Sequence, residues 1–478
     1  MSRLNCVLQA LKRFLAIVLL LLAAPLVAGV RDDVGFTRLK SELGDDLPTG
    51  KGLSLGQVES SMAVDHDGDD ATPELRSWFP NPAARNLQES RLIDRSNAPA
   101  EVYSRHATAV ARRIVGRKVG MVSDIEQLHI FSVNHWIGNG MLRARTPRAP
   151  VAGQLRVINH SWAANGRSSE ILRRADWLTD REEVIQVVGV RNAAGKENDA
   201  YLAALHNAIV VGRSDGLHSV GTPAVDSIYT RGRSRPHLVA PLKTGSAAAP
   251  TVTSAIALLL DAAANPSYSQ SQEAFVNSGG VIIHDAGRSE VVRAILMAGA
   301  ERATANSSHG DIVGYRDGVR NRTNNGLDRR YGAGQLNVFN AWNILRDGEQ
   351  EQQLRHCGFD YEPGLGGSAA HNKSKAYLLP KVISPGRLSA TLSWNLLFSP
   401  GRNTRFDISA ALNNLDLELF DISADQPRLV QSSNSHIDTT ETIFAKLLPG
   451  RQYRLLVTRV DDGEMPQDYA LAWRLVPD

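Results

Sequence analysis

Cysteine is nearly absent from this 478-residue chain, which contains only two. Two thiols cannot staple a disulfide-rich scaffold or supply a four-thiolate zinc site. Cys6 lies in an N-terminal segment that resembles an export signal (below), so a chain processed there keeps Cys357 alone. We therefore expect no internal disulfide in the mature protein.

The chain also lacks a surplus of charge of one sign. Its 53 Lys and Arg residues face 50 Asp and Glu residues, and the excess lies in residues 1–29, which hold Arg3, Lys12 and Arg13 but no acid. The remainder is formally neutral, whereas nucleic-acid-binding proteins usually carry a basic surplus. We expect no nucleic-acid partner. The length and the 42% hydrophobic content indicate a globular protein of two or more domains.

The N-terminus carries the longest apolar run. Basic residues precede Phe14–Val27, and small residues followed by charged ones come after it. This is the order of a secretory signal peptide. A retained membrane anchor is the disfavoured alternative, because the run is short for a bilayer and no later segment reaches about 18 apolar residues. We predict a signal peptide over 1–29, secretion to the periplasm or the medium, and no membrane attachment after cleavage.

After a short N-terminal segment (30–50), buried strands alternate with helical patterns over 51–350. The predicted strands include Val157–Ile158, Val184–Val190 and Ala208–Val211, and the predicted helices Ser169–Leu178 and Ala247–Ala264. Continuous apolar strands fit a sheet covered on both faces. The pattern predicts a three-layer α/β domain with a mainly parallel sheet.

The composition changes near residue 351. A Gly/Ser-rich stretch within 351–385 is typical of a linker. Short alternating runs separated by turn residues then predict a small all-β sandwich over 386–478. These runs are Arg387–Asn395, Leu415–Asp421, Glu441–Leu447, Gln452–Val460 and Asp468–Leu475.

Four residues suited to acyl transfer follow one another on predicted elements. They are Glu59 at the end of a strand over Gly52–Ser60, His106 in the first turn of a helix over Ser104–Gly116, Asn192 beyond the strand Val184–Val190, and Ser246 immediately before the helix Ala247–Ala264. Pro250 should fall in the first turn of that last helix, where proline is tolerated.

These residue types supply the parts of a serine hydrolase. A serine hydroxyl needs a base, a carboxylate must orient that base, and the developing oxyanion needs fixed donors. We predict Ser246 as nucleophile, His106 as general base, Glu59 as orienting acid, and Asn192 with the Ser246 N–H as oxyanion hole. Acid, base, nucleophile is one of three known chain orders for this triad.

The surrounding segments resemble the subtilisin family of serine proteases. The similar segments are TGSAAAPTVTSAIALLL (244–260) to its nucleophile motif, HATAVA (106–111) to its histidine motif, and VVGVRN (187–192) to the strand before its oxyanion asparagine. VINHSWA (157–163) resembles its substrate-pairing strand, which implies that Ser161, Trp162 and Ala163 bind substrate. The resemblance covers about 51–345. It implies a subtilisin-like fold and a monomeric endopeptidase that acts on protein or peptide substrates and requires no cofactor.

The chain departs from this family around the orienting acid. The family has Asp-(Ser/Thr)-Gly after its first strand, whereas this chain has Glu59-Ser60-Ser61. Asp65 is a rival for the role, but the strand before Glu59 is continuous and Asp65 begins an acidic loop. Ala107 replaces the family's glycine after the histidine, and Thr244-Gly245 replaces Gly-Thr before the serine.

Three further hypotheses stay open at this point. A catalytically inactive binding protein of the same fold is one, since the acid is altered. An esterase using Ser214 is another, because residues 212–216 match Gly-x-Ser-x-Gly; that motif demands a following helix, which Leu217–Pro223 does not predict. The acidic run 65–70 begins like a calcium loop but lacks the later bidentate glutamate, so structural calcium is an alternative to a solvated loop.

The C-terminal region carries its own resemblance. Residues 386–475 contain RLSATLSWN, LDLELFD, RLVQSS and YALAWRL. These phrases are similar to the pre-peptidase C-terminal type of β-sandwich appended to secreted bacterial proteases. The resemblance implies a role in secretion, anchoring or substrate contact rather than in chemistry.

Overall fold

The computed structural model describes residues 29–477, with the exception of 66–70, 88–91, 195, 198–199, 270–273, 304–307, 309, 368–371, 399–405 and 407–408. The predicted signal peptide lies outside the described residues, except for Gly29. Three of the four aspartates of the acidic run, Asp67, Asp69 and Asp70, also lie outside them.

The α/β domain is built on strands and helices that alternate along the chain. Its strands are β1 (Ser54–Glu59), β2 (Met62–Asp65), β3 (Ala71–Ser77), β4 (Leu92–Asp94), β5 (Gln127–Ser132), β6 (Leu155–His160), β7 (Ile185–Gly189), β8 (Ile209–Arg213), β9 (Leu238–Ala240), β10 (Phe275–Val276) and β11 (Ile282–Ile283). Its helices are α1 (Val30–Asp33), α2 (Phe36–Leu43), α3 (Arg105–Val115), α4 (Val133–Ile137), α5 (Ser169–Glu182), α6 (Gly245–Ala263), α7 (Ser289–Gly299), α8 (Ile312–Asp317) and α9 (Val338–Asp347).

Seven strands form one parallel sheet in the order β4-β5-β1-β6-β7-β8-β9. Every residue of β1, β6 and β7 is buried, as expected for strands covered on both faces. The carboxyl ends of parallel strands meet at one edge, so Glu59 at the end of β1 and the chain leaving β7 lie on the same side of the sheet. The predicted fold class is confirmed.

Two hydrophobic layers cover the sheet. Val187 of β7 packs in the cluster that contains α3, α6 and α9. Its neighbour Val188 packs in the opposite cluster, together with Leu172 and Leu178 of α5. Successive side chains of a strand point to opposite faces, so this alternation establishes the predicted three layers. Helix α6 is the central member of one layer and contacts β6, β7 and β8.

The segment between residues 30 and 50 packs on this domain. Val34, Phe36 and Leu39 are buried in the cluster that contains α6 and α9. Asp261 near the end of α6 accepts hydrogen bonds from the backbone N–H groups of Thr49 and Gly50, at 2.8 and 2.9 Å. These contacts fix the chain just before it enters β1.

The C-terminal region is a sandwich of two antiparallel four-stranded sheets, in the orders β12-β21-β14-β19 and β13-β20-β17-β18. The strands of these sheets are β12 (Cys357–Leu365), β13 (Ser374–Leu378), β14 (Gly386–Ser393), β17 (Leu415–Asp421), β18 (Arg428–Ser433), β19 (Thr440–Leu447), β20 (Tyr453–Arg459) and β21 (Gln467–Pro477). Two short strands, β15 (Leu397–Phe398) and β16 (Ala410–Ala411), pair with each other in a separate sheet.

The prediction of a linker over 351–385 is wrong where β12 and β13 lie. Residues 357–362 pair with β21 and 374–378 pair with β20. Strand pairing with distant partners gives these residues their structure, whereas their Gly/Ser-rich composition predicted a linker. Gly358 and Gly366 do adopt positive φ angles of 154° and 70°, which favour glycine.

The sandwich packs directly on α7 of the α/β domain. The buried Arg293 of α7 donates to Ser393 Oγ at 2.6 Å and to the carbonyl O of Trp394 at 2.5 Å. It also donates to the carbonyl O of His206 at 2.8 Å, which in turn accepts from Thr439 Oγ1 at 3.0 Å. A buried arginine whose donors are satisfied by both domains holds them in one arrangement.

Candidate active site

His106 and Glu59 form a hydrogen-bonded pair at the carboxyl edge of the sheet. His106 is the second residue of α3, whose first turn is capped by Ser104 Oγ accepting from the Ala107 N–H. His106 Nδ1 lies 2.8 Å from Glu59 Oε2, with the carboxylate side chain 1% and the imidazole 27% exposed. The hydrogen bond to the Glu59 carboxylate raises the pKa of His106, although partial burial opposes it. The contact occupies Nδ1 and leaves Nε2 as the second ring nitrogen.

Gln57, which the sequence analysis did not single out, holds the carboxylate from the other side. Its fully buried side chain donates from Nε2 to Glu59 Oε1 and to the carbonyl O of Ala107, both at 2.9 Å. Gln57 and Glu59 lie two residues apart in β1 and therefore share one face. The two-residue spacing is the sequence signal from which the contact between Gln57 and Glu59 could have been predicted. The second partner of Gln57, the carbonyl O of Ala107 in α3, is 50 residues away in the chain and gives no such signal.

Ser246 is the second residue of α6 rather than the residue before the helix. Thr244 is the N-cap, and its Oγ1 accepts from the Ala247 N–H at 3.1 Å. The same oxygen lies 3.2 Å from Ser246 Oγ. The backbone N–H of Ser246 is among the first amides of the helix, which have no intrahelical acceptor. The nucleophile candidate therefore stands at the positive end of a 19-residue helix.

Pro250 is the sixth residue of α6, so the prediction that it falls in the first turn is wrong. A proline there cannot donate to the carbonyl four residues earlier, which is that of Ser246. Ser161, in the segment after β6, supplies the missing donor: its Oγ donates to the Ser246 carbonyl O at 3.1 Å and accepts from Asn159 Nδ2 at 2.9 Å. Ser161, which is predicted to bind substrate, thus fixes the backbone of Ser246.

Helix α6 is apolar and long enough to meet the length and composition criteria of a membrane span. Within the described residues it is the one helix that does so, and 83% of its apolar window is buried inside the protein. Ser254 of α6 donates to the carbonyl O of Ile114 in α3 at 2.7 Å. The helix that carries Ser246 and the helix that carries His106 are therefore joined in the core.

Asn192 lies three residues beyond β7 and contacts the start of α6, the helix that carries Ser246. Its Oδ1 accepts from the backbone N–H of Gly245 at 2.8 Å, which leaves the amide Nδ2 as the donor group of the side chain. The segment after β7 and the start of α6 approach each other closely because a glycine lies on each side of the contact, Gly189 on one and Gly245 on the other. A Cβ at Gly245 would collide with the carbonyl O of Val190, and one at Gly189 would lie 2.8 Å from the carbonyl O of Gly245.

One cleft of about 390 Å³ brings the predicted residues together. His106, Asn192 and Ser246 line it with the predicted substrate residues Ser161, Trp162 and Ala163; the other lining residues are Ser60, Met62, Gly189, Val190, Arg191 and Ala193. Glu59 is buried behind His106. Trp162 is only 7% exposed and packs edge-on against Trp136 and His160, so its position in the wall is fixed.

The rival acid Asp65 ends β2, which pairs with β3 in a separate hairpin. The backbone of β2 is described, and the imidazole of His106 already has Glu59 as its carboxylate partner. No group of three or more His, Cys, Asp or Glu side chains suited to a metal occurs among the described residues. The acidic run predicted as a calcium alternative lies mostly outside them.

Ser214, the serine of the alternative esterase hypothesis, does not face a cleft. It is fully buried, and residues 214–237, all of them described, contain no helix. The strand-turn-helix geometry that exposes a nucleophile in Gly-x-Ser-x-Gly enzymes is therefore missing at this position.

Ser214→Ala should leave peptide hydrolysis and labelling by a fluorophosphonate serine probe at the wild-type level, because a buried hydroxyl without a base cannot be acylated. In-gel fluorescence of the labelled variant, with its circular dichroism melt as the folding control, checks this. Loss of labelling in a folded Ser214→Ala protein would revive the esterase hypothesis.

Comparison with models of known protein families identifies a match. The model of the subtilase family (Peptidase_S8) matches residues 81–334, a range that contains His106, Asn192 and Ser246 but not Glu59. None of the curated proteins matches the chain.

The chain is similar to several solved structures at low sequence identity. Fervidolysin from Fervidobacterium pennivorans, a keratinolytic enzyme related to subtilisin, is 14% identical over 94% of this chain and 80% of its own, with a TM-score of 0.34. The serine protease of Aeromonas sobria is 15% identical over 89% of each chain, with a TM-score of 0.33. The pre-peptidase C-terminal domain of collagenase from Bacillus anthracis is 15% identical over 26% of this chain and 96% of its own, with a TM-score of 0.19.

Proposed function

Since this chain belongs to the subtilase family of peptidases, we propose that it is a serine endopeptidase that cleaves protein or peptide substrates through an acyl-enzyme on Ser246. The observation that carries this proposal is the 2.8 Å contact between His106 Nδ1 and Glu59 Oε2 at the rim of a cleft that Ser246 and Asn192 also line. A buried carboxylate, an imidazole and a helix-borne serine are the parts that acyl transfer needs.

In the proposed acylation step, Ser246 Oγ attacks the scissile carbonyl carbon while His106 Nε2 takes the hydroxyl proton. Glu59 accepts from the Nδ1–H, which keeps Nε2 unprotonated before attack and stabilises the imidazolium afterwards. Gln57 is a positioning residue here, because its amide fixes the carboxylate that orients the ring. The tetrahedral intermediate collapses when His106 returns the proton to the leaving amine.

In the proposed deacylation step, His106 takes a proton from a water molecule whose oxygen attacks the acyl carbon. The second collapse breaks the bond to Ser246 Oγ, which recovers its proton from His106, and the carboxylic acid product leaves. The reactants are side chains, substrate and water, so we propose that turnover requires no cofactor. Structural calcium stays a separate proposal.

The developing oxyanion would accept from Asn192 Nδ2 and from the Ser246 backbone N–H. The hydrogen bond from the Gly245 N–H to Asn192 Oδ1 supports this, because it occupies the acceptor oxygen of the amide and leaves Nδ2 as the group that can donate. The N-terminal end of α6 favours negative charge at the same place. Donors that are fixed before the reaction cost no reorganisation during it.

Asn192→Ala should lower kcat on a chromogenic peptide by about 10²–10³-fold with little change in KM, as expected for a donor that acts in the transition state. Asn192→Asp is the discriminating variant, since its carboxylate can still accept from Gly245 but cannot donate. We expect Asp to be at least as impaired as Ala. An aspartate variant with near wild-type kcat would mean that Asn192 only positions Gly245.

For substrate binding, we propose that an extended peptide lies along the segment that contains Ser161, Trp162 and Ala163. The buried indole of Trp162 gives this wall a fixed apolar surface, and Ser161 ties the wall to the Ser246 carbonyl. We further propose a monomer that is exported by its N-terminal signal and works outside the cytoplasm. Size-exclusion chromatography and N-terminal sequencing of protein recovered from the culture medium or periplasm test these two points.

The test of the proposed function is hydrolysis of denatured casein by the purified chain without residues 1–29. We expect peptide release that a fluorophosphonate inhibitor abolishes. A folded protein that neither cleaves casein nor reacts with the probe would favour the alternative of a binding protein that keeps the fold without catalysis.

A further inference from the structure

A second cavity, of about 850 Å³, lies between the α/β domain and the sandwich. We call it the arginine cavity. Residues between 301 and 326 line it from one side, and residues of β14, β18, β19 and β21 line it from the other. It shares no lining residue with the cleft around Ser246.

The lining of the arginine cavity is positively charged. Five arginines face two acids; the arginines are Arg302, Arg316, Arg322, Arg387 and Arg474, and the acids are Glu301 and Asp317. Glu301 Oε1 is already engaged by the backbone N–H groups of residues 302 and 303, at 3.0 and 3.2 Å. The chain as a whole is nearly neutral, so this concentration of one sign is local.

Arg302 is the unusual member of the arginine cavity. It is 4% exposed, and none of its three guanidinium nitrogens meets a hydrogen-bond acceptor among the described residues. Its guanidinium carbon stacks 4.2 Å from the ring centroid of Phe444. Burial, with Arg316 and Arg474 nearby, lowers its pKa, although Asp328 and Glu301 attract the charge. An unpaired buried cation is costly and in native proteins usually has a partner.

The neighbouring arginines are held by the protein. Arg474 donates to the carbonyl O atoms of Ala298 and Ala300, at 2.9 and 3.0 Å. Arg316 donates to that of Gly326 at 2.5 Å and lies 5.8 Å from the Phe444 ring centroid. These anchored groups add positive potential around Arg302 without pairing with it.

Apolar groups complete the walls of the arginine cavity. Ile312, Val430, Phe444 and Val476 line it between the arginines. Its volume is in the range of small-molecule sites, which are mostly apolar with a few placed polar groups. The planar guanidinium of arginine matches the two oxygens of a carboxylate or phosphate.

We propose that the arginine cavity binds a small organic anion, one that carries a carboxylate or phosphate group on an apolar body, with Arg302 as the bidentate anchor. The anion supplies the acceptor that Arg302 does not find among the described residues, and its apolar body packs on Phe444. Because both domains line the cavity, the bound anion stabilises their association.

The test uses four probes at matched ionic strength: phenylacetate, phenyl phosphate, inorganic phosphate and the uncharged benzyl alcohol. Isothermal titration calorimetry should detect binding of the two aromatic anions, and either should raise the melting temperature, since a ligand that binds only the folded state stabilises it. Benzyl alcohol should do neither. Comparison of phenylacetate with phenyl phosphate identifies the preferred oxyanion, and inorganic phosphate shows whether charge alone suffices.

Arg302→Met should weaken binding of the preferred anion about 10- to 100-fold, the range for loss of a charged hydrogen-bonded contact. Arg320→Met is the matched control: it removes the same charge from an exposed position of the same segment and should leave binding unchanged. Equal affinity in Arg302→Met and wild type would overturn the proposal. If the Met variant fails to fold, equal wild-type melting temperatures with phenylacetate, phenyl phosphate and benzyl alcohol would overturn it as well.

Discussion

Ser246→Ala should lower the turnover of a peptide substrate by about 10⁶-fold, the scale on which removal of a triad nucleophile abolishes acyl transfer. In the proposed mechanism the hydroxyl of Ser246 is the group that forms the covalent bond, so neither the cleft nor the oxyanion donors can replace it. The substitution replaces the hydroxymethyl side chain of serine by the methyl group of alanine at the second residue of α6. It should not disturb the helix, because Thr244 provides the N-cap.

Initial rates on a chromogenic peptide, measured with enough enzyme to see a 10⁶-fold loss, check this prediction. The circular dichroism melt of Ser246→Ala should match that of the wild type, and substrate should still bind with a similar dissociation constant. A folded Ser246→Ala protein with more than about one-hundredth of wild-type turnover would contradict the assignment of the nucleophile.

Glu59→Gln should lower turnover by about 10⁴-fold through the tautomer of His106. Gln57 Nε2 donates to the oxygen at the Oε1 position, so in the variant the amide oxygen of residue 59 occupies that position. Its NH₂ group then faces His106 Nδ1 and makes that nitrogen an acceptor. The ring proton moves to Nε2, which can no longer take the proton of Ser246.

The pH profile gives a second, independent result for Glu59. In the proposed mechanism activity requires neutral His106, and the hydrogen bond to Glu59 raises the pKa of that histidine. Activity should therefore fall as the pH drops through a value above the usual pKa of about 6.5. In Glu59→Gln the raising interaction is gone, so the residual activity should persist to lower pH.

Asp65→Asn is the matched control for Glu59→Gln, since it also neutralises one carboxylate near the first strand. We expect turnover close to the wild type and an unshifted acid limb. A large loss in Asp65→Asn, with little change in Glu59→Gln, would transfer the orienting role to Asp65.

Much of the fold could be predicted from local pattern. The strand Ile185–Gly189 and the helix Gly245–Ala263 lie within a residue or two of their predicted bounds, because long apolar runs and a capped alanine-rich segment carry their own signal. Strands β12 and β13 were not predicted because their structure comes from pairing with residues about 80 to 120 positions away in the chain.

The site residues were predicted from residue type and order, while the contacts that position them were not. Gln57 resembles any buried glutamine in sequence, and only the packing of α3 on β1 brings Ala107 and Glu59 to its amide. Pro250 appeared to be a harmless first-turn proline. In the structure it is the sixth residue of α6 and cannot donate to the Ser246 carbonyl, which instead accepts a hydrogen bond from Ser161, 85 residues earlier in the chain.

The arginine cavity had no sequence signal at all. Its arginines are scattered over residues 302–474 in segments where a charged residue usually indicates a solvated surface. The sandwich brings Phe444 over Arg302 only when the two domains pack. The composition of the chain is nearly neutral, so it gives no indication of the positive charge that the tertiary structure concentrates in this cavity.

The most direct test of the central claim is to map the adduct of a fluorophosphonate probe by peptide mass spectrometry after labelling the chain without residues 1–29. The account predicts a single modified site at Ser246, with labelling faster above the pKa of His106 than below it. An adduct on Ser214 or on another serine, or no adduct on a protein that is folded by circular dichroism, would contradict it.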